Sequence, residues 1–180
     1  MWDVLVVGGG PAGLSAALFL ARAGLKVLVL DGGRSKLKGV SRVPNFPGLL
    51  EEPSGEELLD RLKAHAERYG AEVRPGTVKG IRDLGGVFEV ETEEGAVEAE
   101  RLLLCTHKDP TLPSLLGLER QGDFIHTDEK GRTRYPRVYA AGVARGKVPG
   151  HAIVSAGDGA YVAVALVSDL RGEPYKDHTT

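Results

Sequence analysis

Residues 2–31 read WDVLVVGGGPAGLSAALFLARAGLKVLVLD, and the stretch Gly8-Gly9-Gly10-Pro11-Ala12-Gly13 inside them decides the fold. Trp2 to Val7 is short, β-branched and apolar, as in a strand buried on both faces of a parallel sheet. Beyond the glycines, Leu14, Ala17, Leu18 and Ala21 recur at helical spacing, with Pro11 suited to the first turn and Gly24 to the stop. Lys26 to Leu30 repeats the strand pattern. Together these segments predict a βαβ unit with a right-handed crossover.

The glycine spacing GxGxxG gives each position a task. Gly8 permits the tight turn, Gly10 lets the backbone approach a pyrophosphate, and Gly13 lets the helix pack closely on the strand. The loop from Gly9 through Pro11 and Ala12 aims free N–H groups and a macrodipole end of about +0.5 charge at the phosphates. Asp31, followed by Gly32, ends the second strand and suits the two hydroxyls of an adenosine ribose. A 2'-phosphate ~4 Å from that carboxylate costs roughly 1 kcal/mol per charge pair in water and ~4 at an effective dielectric of 20. NADP is therefore disfavoured, while FAD and NAD both satisfy the loop.

The 180 residues suffice for one domain with a real core, and two full nucleotide-binding domains would not fit. Lys and Arg total 23 against 25 Asp and Glu, so no basic surface invites nucleic acid or an anionic membrane. No apolar run is read as approaching the ~20 residues of a bilayer span, the N-terminus carries no leader pattern, and the expected location is the cytoplasm. A single cysteine, Cys105, excludes an internal disulfide or a CxxC pair, and its place in RLLLCT reads as buried packing. Asn and Gln occur once each and Met only at the start, a depletion typical of thermophile proteins.

Further along, residues 32–53 form a long irregular segment whose Arg34, Lys36, Lys38 and Arg42 read as a solvated loop, with contact to an anion as the alternative. Ser54 and Glu57 make a capping box for a helix to about Tyr69, with Leu58, Leu59, Leu62 and Ala66 inward and Gly70 at its end. Runs around Val73, Val78–Leu84, Val87–Thr92 and Ala96–Leu104 predict a meander of antiparallel strands. Lys108 to Gln121 reads as a connecting loop. Phe124–Thr127 and Val138–Ala141 add strand around a turn at Asp128–Gly131, and His151–Leu170 is a long apolar helix before a polar tail.

With these residues in view, the chain resembles the thioredoxin reductase-like FAD-dependent pyridine nucleotide-disulfide oxidoreductases. One block runs from VLVVGGGPAGLSAALFLARAG through VLVLD and PNFPG to RLLLCT, and the other is TDEKGRTRYPRVYAAGVARG. The resemblance implies an α/β fold of the FAD-domain type, a Rossmann-like parallel sheet flanked by helices with an antiparallel β-meander. It implies FAD as the cofactor and no metal. Asn45 is expected beside the flavin and the backbone at Val78 against the adenine. Gly142 is expected along the ribityl chain and diphosphate, and His151 and Ala152 at the pyrimidine edge. There a helix start stabilises developing negative charge by ~0.3–1 kcal/mol when exposed and up to ~2 when partly buried.

The chain departs from that family at three places. Thr106 and His107 stand where the family has Thr-Gly at a strand end, and both are expected to border the cofactor. Val143 replaces an aspartate that meets a ribityl hydroxyl, a contact worth roughly 0.5–1.5 kcal/mol. Between the blocks, where the family inserts an NADPH-binding domain carrying CxxC, only Lys108–Gln121 is found. The expected organisation is one FAD-binding domain over 1–180: block 1–107, connection 108–121, block 122–172 and tail 173–180. It is not a complete thioredoxin reductase. The expected function is that of an oxidoreductase taking electrons from free NAD(P)H or a partner protein, with no catalytic residue assigned. A non-catalytic flavin or redox-sensing module and an NAD-binding protein are the alternatives. The resemblance also implies a homodimer.

Overall fold

The computed structural model describes residues 1–178. Strand β1 (Trp2–Val7), helix α1 (Pro11–Arg22) and strand β2 (Val27–Asp31) form the expected βαβ unit, with Val4 opposite Val27 and Val7 opposite Leu30 in parallel register. Helix α2 (Gly55–Arg68) starts at the expected cap, where the Glu57 N–H donates to Ser54 Oγ at 3.1 Å. The chain then returns as strand β3 (Glu72–Pro75), parallel to β2.

That pairing corrects the assignment of the Val73 run to the meander. Helix α2 is itself a crossover, so β2, α2 and β3 make a second βαβ unit on the free edge of β2. The antiparallel meander contains only β4 (Val78–Asp83), β5 (Phe88–Thr92) and β6 (Gly95–Leu104). Strand β6 serves both systems. Its first half pairs antiparallel with β5, and its second half runs parallel to β1, with Leu102 opposite Leu5.

The segment read as a connecting loop holds a short helix, α3 (Thr111–Leu116), closed by Gly117 and anchored by buried Leu112. A two-stranded hairpin follows, β7 (Arg120–Gln121) and β8 (Phe124–Ile125), so the predicted strand ends at Ile125 rather than Thr127. Strand β9 (Val138–Ala140) then joins the parallel sheet beside β6, and helix α4 (Ala152–Arg171) closes the fold.

Strand alternation divides the core into two layers. Val4, Val6, Val29 and Leu103 point to one face, where Leu14 and Leu20 of α1 meet Val162 and Leu166 of α4. Leu5, Val7, Leu28 and Leu102 point to the other, under Phe88 and Val90 of β5 and Leu112 of α3. Each such fully buried side chain contributes about 1.5–3 kcal/mol.

Helix α4 is long and apolar enough to cross a membrane by length and composition, which the sequence reading passed over. Here it packs on α1. The polar tail is also tied down: Asp177 accepts two hydrogen bonds from Arg22, at 2.7 and 2.9 Å, and the Tyr175 N–H donates to Ser168 Oγ. The last two residues of the predicted 173–180 tail lie outside the described residues.

Candidate cofactor site

The C-terminal ends of β1, β2 and β6 open onto a cleft of about 790 Å³, which meets a second hollow of about 350 Å³. Residues Pro11, Ser35, Lys36, His107, Val143 and Ser155 line both and form a waist between them. Carboxyl ends of parallel strands are where such sheets take their ligands.

The glycine loop forms the floor of the larger part. Gly8 has φ +118° and its N–H donates to the Leu30 carbonyl, so the chain turns off β1 with its backbone pressed on the Cys105 carbonyl. A Cβ there would overlap that carbonyl. At Gly10, by contrast, the nearest atom to a Cβ position is Ser35 Oγ at 3.4 Å, so the loop is open where a diphosphate is expected. The α1 start beyond it has first-turn N–H groups without intrahelical partners. Asp31 leans over Gly9, and its Oδ1 accepts the Gly33 N–H at 2.8 Å while the rest of the carboxylate faces the cleft.

The sequence-predicted residues divide by position. Gly8, Gly9, Gly10, Ala12, Asp31 and Gly32 line the larger part, as do Val78 and Thr106. Asn45, His151 and Ala152 line the smaller. Pro11, His107 and Val143 belong to both. Gly13 and Gly142 lie behind the wall: Gly13 presses on the Gly8 carbonyl, and the N–H of Gly142 is spent on Asp158 Oδ2 at 2.7 Å. Of the basic run, Arg34 reaches the larger part, Lys36 both and Arg42 the smaller, while Lys38 lines neither. Arg34 faces Asp109 across the larger part at 3.4 Å.

Sequence reading missed the buried ion pair behind the waist. Arg145 and Asp158, with side chains 4% and 8% exposed, join through bonds of 2.6 and 2.9 Å. Asp158 also holds Gly142, which fixes the turn from β9 to Val143. The signal available was Asp158 as the one charged residue in the stretch 152–167 of α4, a group that needs a partner when buried.

Cys105 is half-buried at the end of β6 and lines the larger part of the cleft, which corrects the expectation of a fully buried packing residue. Burial pushes its thiol well above the usual range, and the nearby Asp158 charge acts in the same direction. The thiol is therefore protonated and weakly nucleophilic at neutral pH. Iodoacetamide at pH 8 is expected to label it far more slowly in the folded protein than in urea, as read by intact mass; equal rates would contradict this burial.

A flavin dinucleotide fits this site by two features of the protein itself. The loop at Gly10 is open, and the buried Thr106 hydroxyl has no hydrogen-bond partner among the described residues. Among those residues there is also no cluster suited to a metal ion.

Comparison with known proteins agrees with this geometry. A family model for an FAD binding domain matches residues 3–39, and one for pyridine nucleotide-disulphide oxidoreductases matches residues 35–159. The thioredoxin reductase of Streptomyces coelicolor is 38% identical over 128 residues, covering 67% of this chain and 39% of that protein. The thioredoxin reductase of Treponema pallidum is 36% identical over 128 residues, covering 69% and 40%. The chain thus spans about two fifths of the length of these curated relatives.

Among solved structures, a thioredoxin reductase from Gloeobacter violaceus superposes with a TM-score of 0.90 at 20% identity, covering 99% of each chain. The atypical thioredoxin reductase TRi from Desulfovibrio vulgaris Hildenborough gives 0.84 at 22% identity, covering 97% of this chain and 100% of that one. At these identities the likeness concerns the fold.

Proposed function

The chain belongs to the pyridine nucleotide-disulphide oxidoreductase family and takes FAD as its cofactor, and from that premise we propose that it is a flavoprotein oxidoreductase supplied with electrons from outside its own fold. One observation carries the reading. The two-part cleft is built by the glycine loop and the start of α4, yet residues 105–137, between the strands β6 and β9, hold only α3 and a hairpin. The electron donor is then free NAD(P)H or a partner protein.

In this reading FAD, when bound, supplies a two-electron acceptor. The N–H groups at the start of α1 hold its diphosphate, and Asp31 accepts hydrogen bonds from the adenosine ribose. The backbone at Val78 meets the adenine, Asn45 lies along the flavin, and the Ala152 N–H with His151 stabilises negative charge at the pyrimidine edge. Pro11 and Val143 exclude water at the waist.

The reading extends to a thermophilic, cytoplasmic homodimer. Ile153, Val154 and Tyr161 leave an apolar face of α4 exposed for a second copy. The network in which Arg132 bridges Asp128 and Asp169 suits high temperature.

Anaerobic mixing of the FAD-loaded protein with NADH and NADPH tests the proposal. Bleaching of the flavin band by either nucleotide, at a rate that saturates with its concentration, is expected if the donor is free. A non-catalytic flavin module is the second reading, favoured by the protonated, solitary Cys105. It predicts a flavin that stays oxidised with both nucleotides and with any protein donor.

A further inference from the structure

We propose that His107 is a cofactor-contacting residue, supplying from the end of β6 the polar side chain that meets the ribityl-diphosphate portion of FAD at the waist of the cleft. The inference rests on the flavin reading above and gives a stated contact to a side chain that stands where the family has glycine.

Three observations carry it. First, His107 has φ +54°, a left-handed conformation that side chains rarely adopt and that glycine adopts freely. The conformation is held by a turn in which the Asp109 N–H donates to the Thr106 carbonyl at 3.1 Å. A side chain kept at such a position opposes folding, so its presence calls for a use in the cleft.

Second, His107 belongs to both parts of the cleft, a property it shares with only five other residues among those described. Two of these, Pro11 and Val143, offer no side-chain donor or acceptor. Ser35, Lys36 and Ser155 bring polar side chains to the waist from the segment after β2 and from α4, and His107 is the polar side chain that the β6 side contributes there.

Third, the surroundings set the charge of that imidazole. His107 is an exposed residue, and partial desolvation, then the Lys36 and Lys108 ammonium groups, hold its imidazole below the usual range. Neutral imidazole presents one N–H donor and one acceptor nitrogen, which matches a hydroxyl that both gives and takes a hydrogen bond. Next to it, the unpartnered Thr106 hydroxyl shows that polar capacity at this strand end is not consumed by the protein.

Fluorescence titration of the apoprotein with FAD tests the proposal, alongside thermal unfolding without ligand. His107→Gly is expected to raise the FAD Kd about fivefold, the loss of one ordinary hydrogen bond. The same change is expected to raise the apoprotein's unfolding temperature, since glycine relieves the left-handed strain. His107→Asn, which tolerates this φ and keeps a donor and an acceptor, is expected to bind FAD within about twofold of the unsubstituted chain.

An unchanged FAD Kd in His107→Gly would overturn the proposal and leave the flavin reading standing. A fall in both affinity and unfolding temperature would overturn it as well, making His107 a residue of the fold alone. No FAD uptake by the unsubstituted chain would overturn the flavin reading, and this inference with it.

Discussion

Replacing Asp158 with alanine is expected to destabilise the protein by about 3–5 kcal/mol, the cost of leaving one member of a buried ion pair without its partner. Arg145 is enclosed behind the waist, and water cannot take over the role of the lost carboxylate. The change also removes the acceptor for the Gly142 N–H, so the turn carrying Val143 to the cleft loses its anchor. For a chain of this size the unfolding temperature is expected to fall by about 6–20 °C.

Two controls separate charge from packing. Asp158→Asn keeps an acceptor for Gly142 and is expected to cost less than alanine. Replacing Arg145 and Asp158 together with leucines is expected to recover much of the loss, because no unpaired charge then remains. Urea melts of the four proteins decide the matter. If Asp158→Ala melts within about 1 kcal/mol of the unsubstituted chain, the pair is not the structural brace described here.

Gly159→Ala is the second large effect, and its sign is opposite to what helix propensity suggests. Alanine is favoured over glycine inside a helix by about 1 kcal/mol. At Gly159, however, the new Cβ would overlap the Ala12 carbonyl and stand 3.0 Å from its Cα. That neighbour is backbone at the start of α1 and cannot swivel aside. Overpacking of this kind costs about 1–3 kcal/mol or more, and it pushes α4 off α1 at the point where both border the cleft. FAD affinity is expected to fall at least about tenfold, matching a shift of ~1.4 kcal/mol.

Gly157→Ala, two residues earlier, supplies the contrast. Gly157 is exposed and nothing lies within 4 Å of its Cβ position. There propensity acts alone, and a gain of about 0.5–1 kcal/mol is expected with no change in FAD binding. Guanidinium melts of the two variants should move in opposite directions, and only Gly159→Ala should weaken FAD binding; parallel melts would contradict the close α1–α4 approach.

What the residues disclosed before any coordinates follows from how local each signal is. The glycine loop, Pro11 and the Ser54 cap are local chemistry, and each lies where its spacing placed it. The Val73 run failed because strand composition does not report a partner. Only the return of the chain through α2 sets β3 against β2 instead of β4. Helix α3 was hidden by Pro110 and Pro113, which read as loop but occupy the cap and first turn, where a missing N–H costs nothing.

The cofactor cleft was legible in part for the same reason. Residues of the loop and of the distant segments at Asn45 and His151 were placed on its walls, while Gly142 turned out to stand behind them. Arg145 and Asp158 are thirteen residues apart and joined only by the geometry of the chain between β9 and α4. The left-handed backbone at His107 is likewise a property of the turn to Asp109, and the only residue-type signal for it is the glycine that the family has there.

One chain is expected to hold one FAD in the joined cleft, with its electrons arriving from outside. Spectroscopic titration of the apoprotein with FAD, followed by equilibrium dialysis against NADPH, decides this. Saturation at one FAD per chain and no second, retained dinucleotide are expected. A chain that stays colourless with excess FAD, or one that holds FAD and NADPH together in equal amounts, would contradict it.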